Sequence, residues 1–318
     1  MQLYRHLSDY KRPTNGIALA IGNFDGFHKG HQAVIAAMRE KALKFGLKSA
    51  IMIFEPQPLE FFAKAVPARL YSLRDKLKAF KKADIDIVLC MPFKKSFCQM
   101  TDREFVFDLL VKKLGVKSIT VGSLFTFGKG GVSGVEELKS LAKEAGIEAS
   151  AIAGVSQSGP RVSSTMIRDL IKVGDFATAK SEMGRDYSIS GKVLHGNALG
   201  RTLGFATANI NLNRVICPLK GVYAVKVKTS YGMFNGMANV GTRPTVEKLR
   251  LKSLLEVHLF NFNADLYGQE IEVFFVKKIR DEKKFSSLDS LKEQLNVDRK
   301  TALRLLSDSN DNFNDVNA

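Results

Sequence analysis

The residues best equipped for chemistry in this chain are His28 and His31. They stand in the run Gly22-Asn23-Phe24-Asp25-Gly26-Phe27-His28-Lys29-Gly30-His31, between the apolar stretch Ile17 to Ile21 and the helix-like stretch Gln32 to Met38. That order reads as strand, glycine-punctuated turn, helix. A helix start offers unsatisfied backbone N–H groups and the positive end of the macrodipole, which suits phosphate, and Gly30 permits close approach of a ligand. Two imidazoles there are equipped to bind a triphosphate as its charge shifts. The alternative is a pair of surface histidines at a helix cap; the pairing, the glycine and the preceding strand favour phosphate chemistry.

A second set lies in the carboxyl-terminal half. Thr207 and Asn209 alternate along an extended segment, so they face the same way and offer oxygen ligands of the kind Mg²⁺ takes. Glu256 interrupts the apolar run Leu254 to Leu259, and a carboxylate on a largely buried strand needs a partner or a task. On the local sequence alone, Thr207 and Asn209 could equally be a turn or surface pair, and Glu256 could face solvent on an amphipathic strand.

The elements that must position these residues follow two patterns. Up to about residue 183, strand-like runs (17–21, 49–54, 86–91, 118–121 and 147–151) alternate with helical ones. Thr101 with Glu104 and Ser133 with Glu136 read as capping boxes. This alternation predicts an α/β doubly wound parallel sheet, with ligands bound beyond the carboxyl ends of its strands. From Ser188 onward, strands at 188–194, 221–228, 233–240, 254–262 and 271–279, with a hairpin around Thr229 to Gly232, predict a small closed antiparallel β-barrel. A helix over 288–306 follows. The expected domains are 1–186 and 187–306, with a disordered tail, 307–318, rich in Asn, Asp and Ser.

Composition narrows the function classes. The net charge is +16, with 29 basic against 19 acidic residues up to Asp186 and 19 against 13 after it. The basic pairs are scattered, with no arginine tract, so a specific nucleic-acid partner is not expected; a general positive field suits a polyanion such as ATP. No apolar run is long enough to cross a bilayer, so no membrane partner is expected. Cys90, Cys98 and Cys217 lack metal-ligand spacing and argue for no disulfides, which points to the cytoplasm. Gly128-Lys129-Gly130-Gly131 fails as a phosphate-binding P-loop, because Gly130 stands where Ser or Thr is required, and reads as a flexible loop near the ligand cleft. Self-association is left open.

Taken together, the motifs resemble the bifunctional prokaryotic riboflavin kinase/FAD synthetase family from about Gly16 to Arg304. The amino-terminal signature is Gly22 to His31, with Phe54-Glu55-Pro56, Ser72 to Lys76, and Val162 to Arg168. The carboxyl-terminal one comprises Leu199-Gly200-Arg201, Gly204 to Asn209, Gly221-Val222-Tyr223, Asn239 to Thr245, and Glu256-Val257-His258. The resemblance implies two reactions: γ-phosphoryl transfer from ATP to riboflavin, giving FMN, then adenylylation of FMN to FAD with release of pyrophosphate. It implies that His28, His31 and Arg168 serve adenylyl transfer, with Gly22, Phe24, Asp25, Gly30, Ser163, Ser164 and Thr165 at the nucleotide. Arg168 would hold the β- and γ-phosphates through a forked contact; the alternative reading is helix capping by Ser164 or Thr165 with Arg168 solvated. In the kinase half, Glu256 would be the base, Thr207 and Asn209 the Mg²⁺ and phosphate ligands, Gly200, Arg201 and Gly204 a loop over the phosphates, and Asn239 and Arg243 part of the flavin and nucleotide pocket.

The chain departs from the family at three places. Gln57 replaces a histidine, Ser123 to Gly128 replaces Asp-Asp-Phe-Arg-Phe-Gly, and Ala206 replaces a proline, which relaxes the backbone before Thr207. The altered segment from Ser123 to Thr126 motivates one alternative, a riboflavin kinase with a weakened adenylyltransferase half. A non-catalytic flavin or nucleic-acid binding module is the remaining one.

Overall fold

The computed structural model describes residues 1–62, 66–154, 161–195, 203–212, 216–244 and 251–308, without the side chains of 242–244 and 251–252. Its strands are β1 (Gln2–Tyr4), β2 (Ile17–Ile21), β3 (Lys48–Glu55), β4 (Ile87–Pro92), β5 (Val116–Gly122), β6 (Glu148–Ile152), β7 (Ser188–Leu194), β8 (Ala208–Asn211), β9 (Gly221–Thr229), β10 (Gly232–Pro244), β11 (Leu251–Leu259) and β12 (Glu270–Arg280). Its helices, in our numbering, are α1 (Lys29–Lys44), α2 (Pro58–Phe62), α3 (Leu73–Lys82), α4 (Lys95–Cys98), the π-type α5 (Glu104–Leu114), α6 (Val135–Glu144), α7 (Ser164–Val173), α8 (Phe176–Met183) and α9 (Leu288–Ser307). They fall into two compact units, Met1–Pro67 with Lys76–Ser163, and Ala68–Asp75 with the chain from Ser164.

The first unit is a parallel sheet in the order β1-β4-β3-β2-β5-β6. All five residues of β2 are buried, as expected of a central strand covered on both faces. β2 pairs with β3 on one side and β5 on the other, so the winding reverses at β2 and the loop after it opens at the switch point. Thr101 and Glu104 form the expected capping box, the Thr101 hydroxyl donating to the Glu104 carboxylate at 2.9 Å and accepting from the Glu104 N–H at 3.2 Å. The box expected at Ser133 does not form. Ser133 pairs with Phe127 across a β-bridge and donates its hydroxyl to Asp102 Oδ2 at 3.0 Å, so α6 starts at Gly134 without a side-chain cap.

The second unit is a closed antiparallel barrel in the order β10-β11-β8-β7-β12-β9. The expected hairpin joins β9 to β10, pairing Thr229 with Gly232. The compact units divide at Ser163, whereas the sequence reading drew the domain boundary after Asp186. Helices α7 and α8 group with the barrel because Phe176 packs on Phe275 and Tyr223. Ser307 closes α9 rather than opening a tail, and residues 309–318 of the expected tail lie outside the described residues.

Helix α9 starts at a capping box formed by Ser287 and Ser290 and buries Ala302 and Leu306 with Phe205, Met237 and Phe260. It is tied to the end of β12 by Arg280, which forks onto Asp298 at 2.7 to 3.0 Å. Asp298 is 1% exposed and also accepts from Gln294 at 2.9 Å. Removing one partner of such a pair leaves a charge stranded in a poorly solvated place, at a cost of about 3 kcal/mol or more. Asp298→Ala is therefore expected to shift the second unit's urea transition, followed by circular dichroism, to a clearly lower midpoint. An unchanged midpoint would show that the pair does not hold α9.

Candidate active sites

At the first site, the loop after β2 turns through two strained aromatic residues. Phe24 and Phe27 have φ of 47° and 42°, values that a bulky side chain adopts only when its surroundings hold it there. Both rings are buried and meet Phe80 of α3 edge-on, with centroids 5.7 and 5.9 Å away. This turn delivers His28 to the N-cap of α1, where its side chain makes no capping bond. The His28 and His31 rings stack, with centroids 3.7 Å apart and planes at 21°, and Phe24 meets His31 edge-on at 5.3 Å. His28 is 6% and Asp25 1% exposed, so His28 is not a surface residue, whereas His31 is half-buried.

Gly30 has a more specific role than open access. A Cβ there would lie 3.2 Å from the His28 imidazole and 3.8 Å from the Val162 carbonyl. The glycine gives the ring its place and brings the Val162 to Ser163 segment beside the start of α1. Arg161 was not singled out from sequence, yet it runs along Gly154 with its guanidinium toward Gly122 at the end of β5. Only the sheet order reveals this cation at the strands' carboxyl edge.

Beside the sheet's carboxyl edge lies a cavity of ≈ 410 Å³, walled by Phe54, Phe62, Phe93, Phe97, Phe125 and Phe127 among others. Phe125 and Phe127 stack 5.8 Å apart with planes at 12°. Sequence reasoning noted the charges missing from 123–128 and overlooked this aromatic lining, whose members come from β3, α2, the turn after β4, α4 and the loop after β5. Gly128, Gly130 and Gly131 line the same cavity, and Lys129 to Gly131 form a short 3₁₀ turn. Gln57 is 5% exposed, and its Nε2 has no hydrogen-bond partner among the described residues.

Ser164, Thr165 and Arg168 open α7 and belong to the second unit. Arg168 donates its Nε–H to the Ala68 carbonyl at 2.6 Å, so a forked phosphate contact would fall to its terminal nitrogens.

The barrel builds the other site. Asn209 of β8 pairs directly with Glu256 of β11, and Glu256 pairs directly with Asn239 of β10. Residues abreast on paired strands share a face, and all three line a cavity of ≈ 290 Å³ together with Thr207 and His258. The Asn209 amide nitrogen donates to the Thr207 carbonyl at 3.4 Å, which identifies Oδ1 as its acceptor end. A further cavity of ≈ 530 Å³ borders Thr207 and His258 from the other side, closed by Phe262, Asp265 and Tyr267. Burial pushes the His258 imidazole below its ordinary pKa, against the raising effect of its bond to the Ala206 carbonyl. Gly204 turns at φ 82°. Gly200 and Arg201 lie outside the described residues; Arg243 contributes its backbone to β10, opposite Lys252.

Two family models match the chain, FAD synthetase over residues 10–166 and riboflavin kinase over 183–306. The bifunctional riboflavin kinase/FMN adenylyltransferase of Haemophilus influenzae is 44% identical over 95% of this chain and 98% of its own length. That of Escherichia coli K12 is 44% identical over 95% and 97%. The chain belongs to the bifunctional riboflavin kinase/FMN adenylyltransferase family. A solved structure described as a macrolide-efflux protein from Streptococcus pneumoniae superimposes with a TM-score of 0.77 at 30% identity, covering 95% of this chain and 98% of that one. Among the described residues, no helix is long and apolar enough to cross a membrane. As a family member the chain is a transferase carrying both enzymatic domains, so the kinase-only and non-catalytic alternatives fall away.

Gly30→Ala separates packing from chemistry. Alanine favours a helix by about 1 kcal/mol over glycine, while its methyl group presses on His28. Thermal stability is expected to hold or rise, and the rate of FAD formation from FMN to fall about tenfold, as misplacement of a positioning group does. Unchanged FAD formation would show that the ring's placement does not matter.

Proposed function

We propose that the two activities are divided between the two sites, adenylyl transfer at the His28/His31 loop and phosphoryl transfer in the barrel. The observation that carries this reading is the row Asn209, Glu256, Asn239, which sets one carboxylate among oxygen and amide donors on a cavity wall. In the barrel, Glu256 accepts the proton of the riboflavin 5′-hydroxyl as that oxygen attacks the γ-phosphorus of ATP and the bond to the departing ADP breaks. Asn239 and Arg243 shape the flavin and nucleotide pocket, and Gly200, Arg201 and Gly204 cover the phosphates.

The residues present fit Mg²⁺. Thr207 Oγ1 and Asn209 Oδ1 are hard, neutral oxygens, and the described residues hold no cluster of three His, Cys, Asp or Glu side chains suited to a metal. Such a site suits an ion that arrives with phosphate oxygens and water around it. Thr207 and Asn209 would hold the ion, which would supply Lewis-acid neutralisation of the charge that develops on the phosphates.

In adenylyl transfer the FMN phosphate is already an anion, so alignment and charge stabilisation suffice and no strong base is needed. His28 and His31, at the positive end of α1, hold the ATP phosphates with Gly22, Phe24, Asp25 and Gly30, and the departing pyrophosphate draws on Ser163, Ser164, Thr165 and Arg168. The phenylalanine-lined cavity takes the isoalloxazine ring by stacking, which lets the segment 123–128 dispense with the charges its relatives carry. The partners are small molecules, and three scattered cysteines without metal-ligand spacing favour the reducing cytoplasm.

Chromatography of flavins after incubation with ATP and Mg²⁺, started from riboflavin or from FMN, tests the division. Glu256→Gln is expected to lose FMN formation at least 100-fold while still converting supplied FMN to FAD. Equal loss of both reactions would overturn separate sites. His28→Ala is expected to do the reverse, and undiminished FAD formation would remove that histidine from the mechanism.

A further inference from the structure

His258 stands two residues beyond Glu256 on β11 and therefore on the same face of the strand. Its Nδ1 lies 2.8 Å from the Ala206 carbonyl oxygen. A carbonyl only accepts, so Nδ1 carries the proton and donates it. The imidazole is held in that orientation by two aromatic edges, Phe205 at 5.2 Å and 63°, and Phe260 at 5.7 Å and 67°. The carbonyl it grips belongs to the peptide bond that leads directly into Thr207. That stretch, 205–207, lies before β8 and outside the barrel's regular strand pairing. Thr207 and His258 both border the ≈ 290 Å³ and the ≈ 530 Å³ cavities, so the gripped peptide forms part of the wall between them.

We propose that His258 is a positioning residue of the kinase reaction, clamping the Ala206–Thr207 peptide so that the Thr207 hydroxyl stays fixed between the two cavities. The clamp fills a specific need. Alanine at 206 leaves φ free, and the peptide before Thr207 receives its restraint from β11 rather than from a proline ring at 206. One strand thus supplies both the carboxylate at the reacting hydroxyl and the donor that holds the phosphate-side hydroxyl, and the spacing of two keeps them on one face. The inference rests on the assignment of Thr207 and Glu256 to the kinase site.

Two substitutions separate the hydrogen bond from the ring. His258→Phe keeps an aromatic ring between Phe205 and Phe260 and removes the donor. His258→Asn places an amide N–H about where Nδ1 lies and removes the ring. Steady-state kinetics of FMN formation are measured with ATP varied, and riboflavin binding is followed by quenching of its fluorescence. The expected result for His258→Phe is a fall of about tenfold in kcat/KM for ATP, with riboflavin affinity within about twofold of wild type; His258→Asn recovers most of the loss. The proposal is overturned if His258→Phe keeps wild-type ATP kinetics, if riboflavin affinity falls in parallel, or if His258→Asn is as defective as the phenylalanine variant. Thr207→Ala, assayed alongside, tests the site itself. Loss of ATP kinetics there, with His258→Phe unaffected, rejects the clamp and keeps the site, whereas wild-type kinetics for Thr207→Ala rejects the site assignment.

Discussion

Asn209, Glu256 and Asn239 stand abreast because β8, β11 and β10 pair in a single register. Side chains alternate along a strand, so a slip of one residue would turn Glu256 out of the cavity and bring in Leu255 or Val257, both now buried in the barrel. Barrel closure forbids that slip, because each strand is paired on both sides and its apolar set must face inward. The same register carries His258 to the Ala206 carbonyl. The chemistry at this site is therefore a consequence of backbone pairing more than of any one side-chain contact.

The first site depends on a different constraint, the reversal of winding at β2. A parallel sheet leaves its helix N-termini and loops at the carboxyl edge, and where the order reverses two neighbouring connections diverge and open a crevice. The loop with His28 and His31 emerges there. Its shape is maintained against strain, since Phe24 and Phe27 keep left-handed backbone angles while Phe80 packs against both rings. The stacked histidines are thus mounted on a rigid turn at the positive end of a helix. On the proposed reading, an ATP phosphate held there meets donors already in place, which lowers the reorganisation needed during reaction.

The loss of charge from Ser123 to Thr126 looks, in sequence, like damage to a binding site. Folded, the same segment contributes Phe125 and Phe127 to an aromatic cavity drawn from five separate parts of the chain. Retention of the two rings keeps the apolar contacts of that wall, while the replaced Ser123, Leu124 and Thr126 are exposed. The departure is therefore smaller in physical terms than in residue identity.

Much of this protein was legible in its residues. The apolar runs gave both architectures, because burial on two faces and burial on one face leave different periodicities. The glycine and histidine spacing pointed to the turn that the fold sets at the switch point, and the order of the short signatures identified the family. The small strand β1 escaped notice because three residues carry too little pattern, and β8 was read only as an extended segment around Thr207 and Asn209. The failed cap at Ser133 shows a second limit, since its hydroxyl is taken by Asp102, thirty-one residues away, and no local rule sees that partner. Strand order, register and the convergence of distant phenylalanines arise from long-range pairing. The sequence by itself therefore determined most of the elements and which residue types are equipped for chemistry; only the tertiary structure decided which of them meet, because contacts between remote segments are set by packing and backbone pairing that no local run encodes.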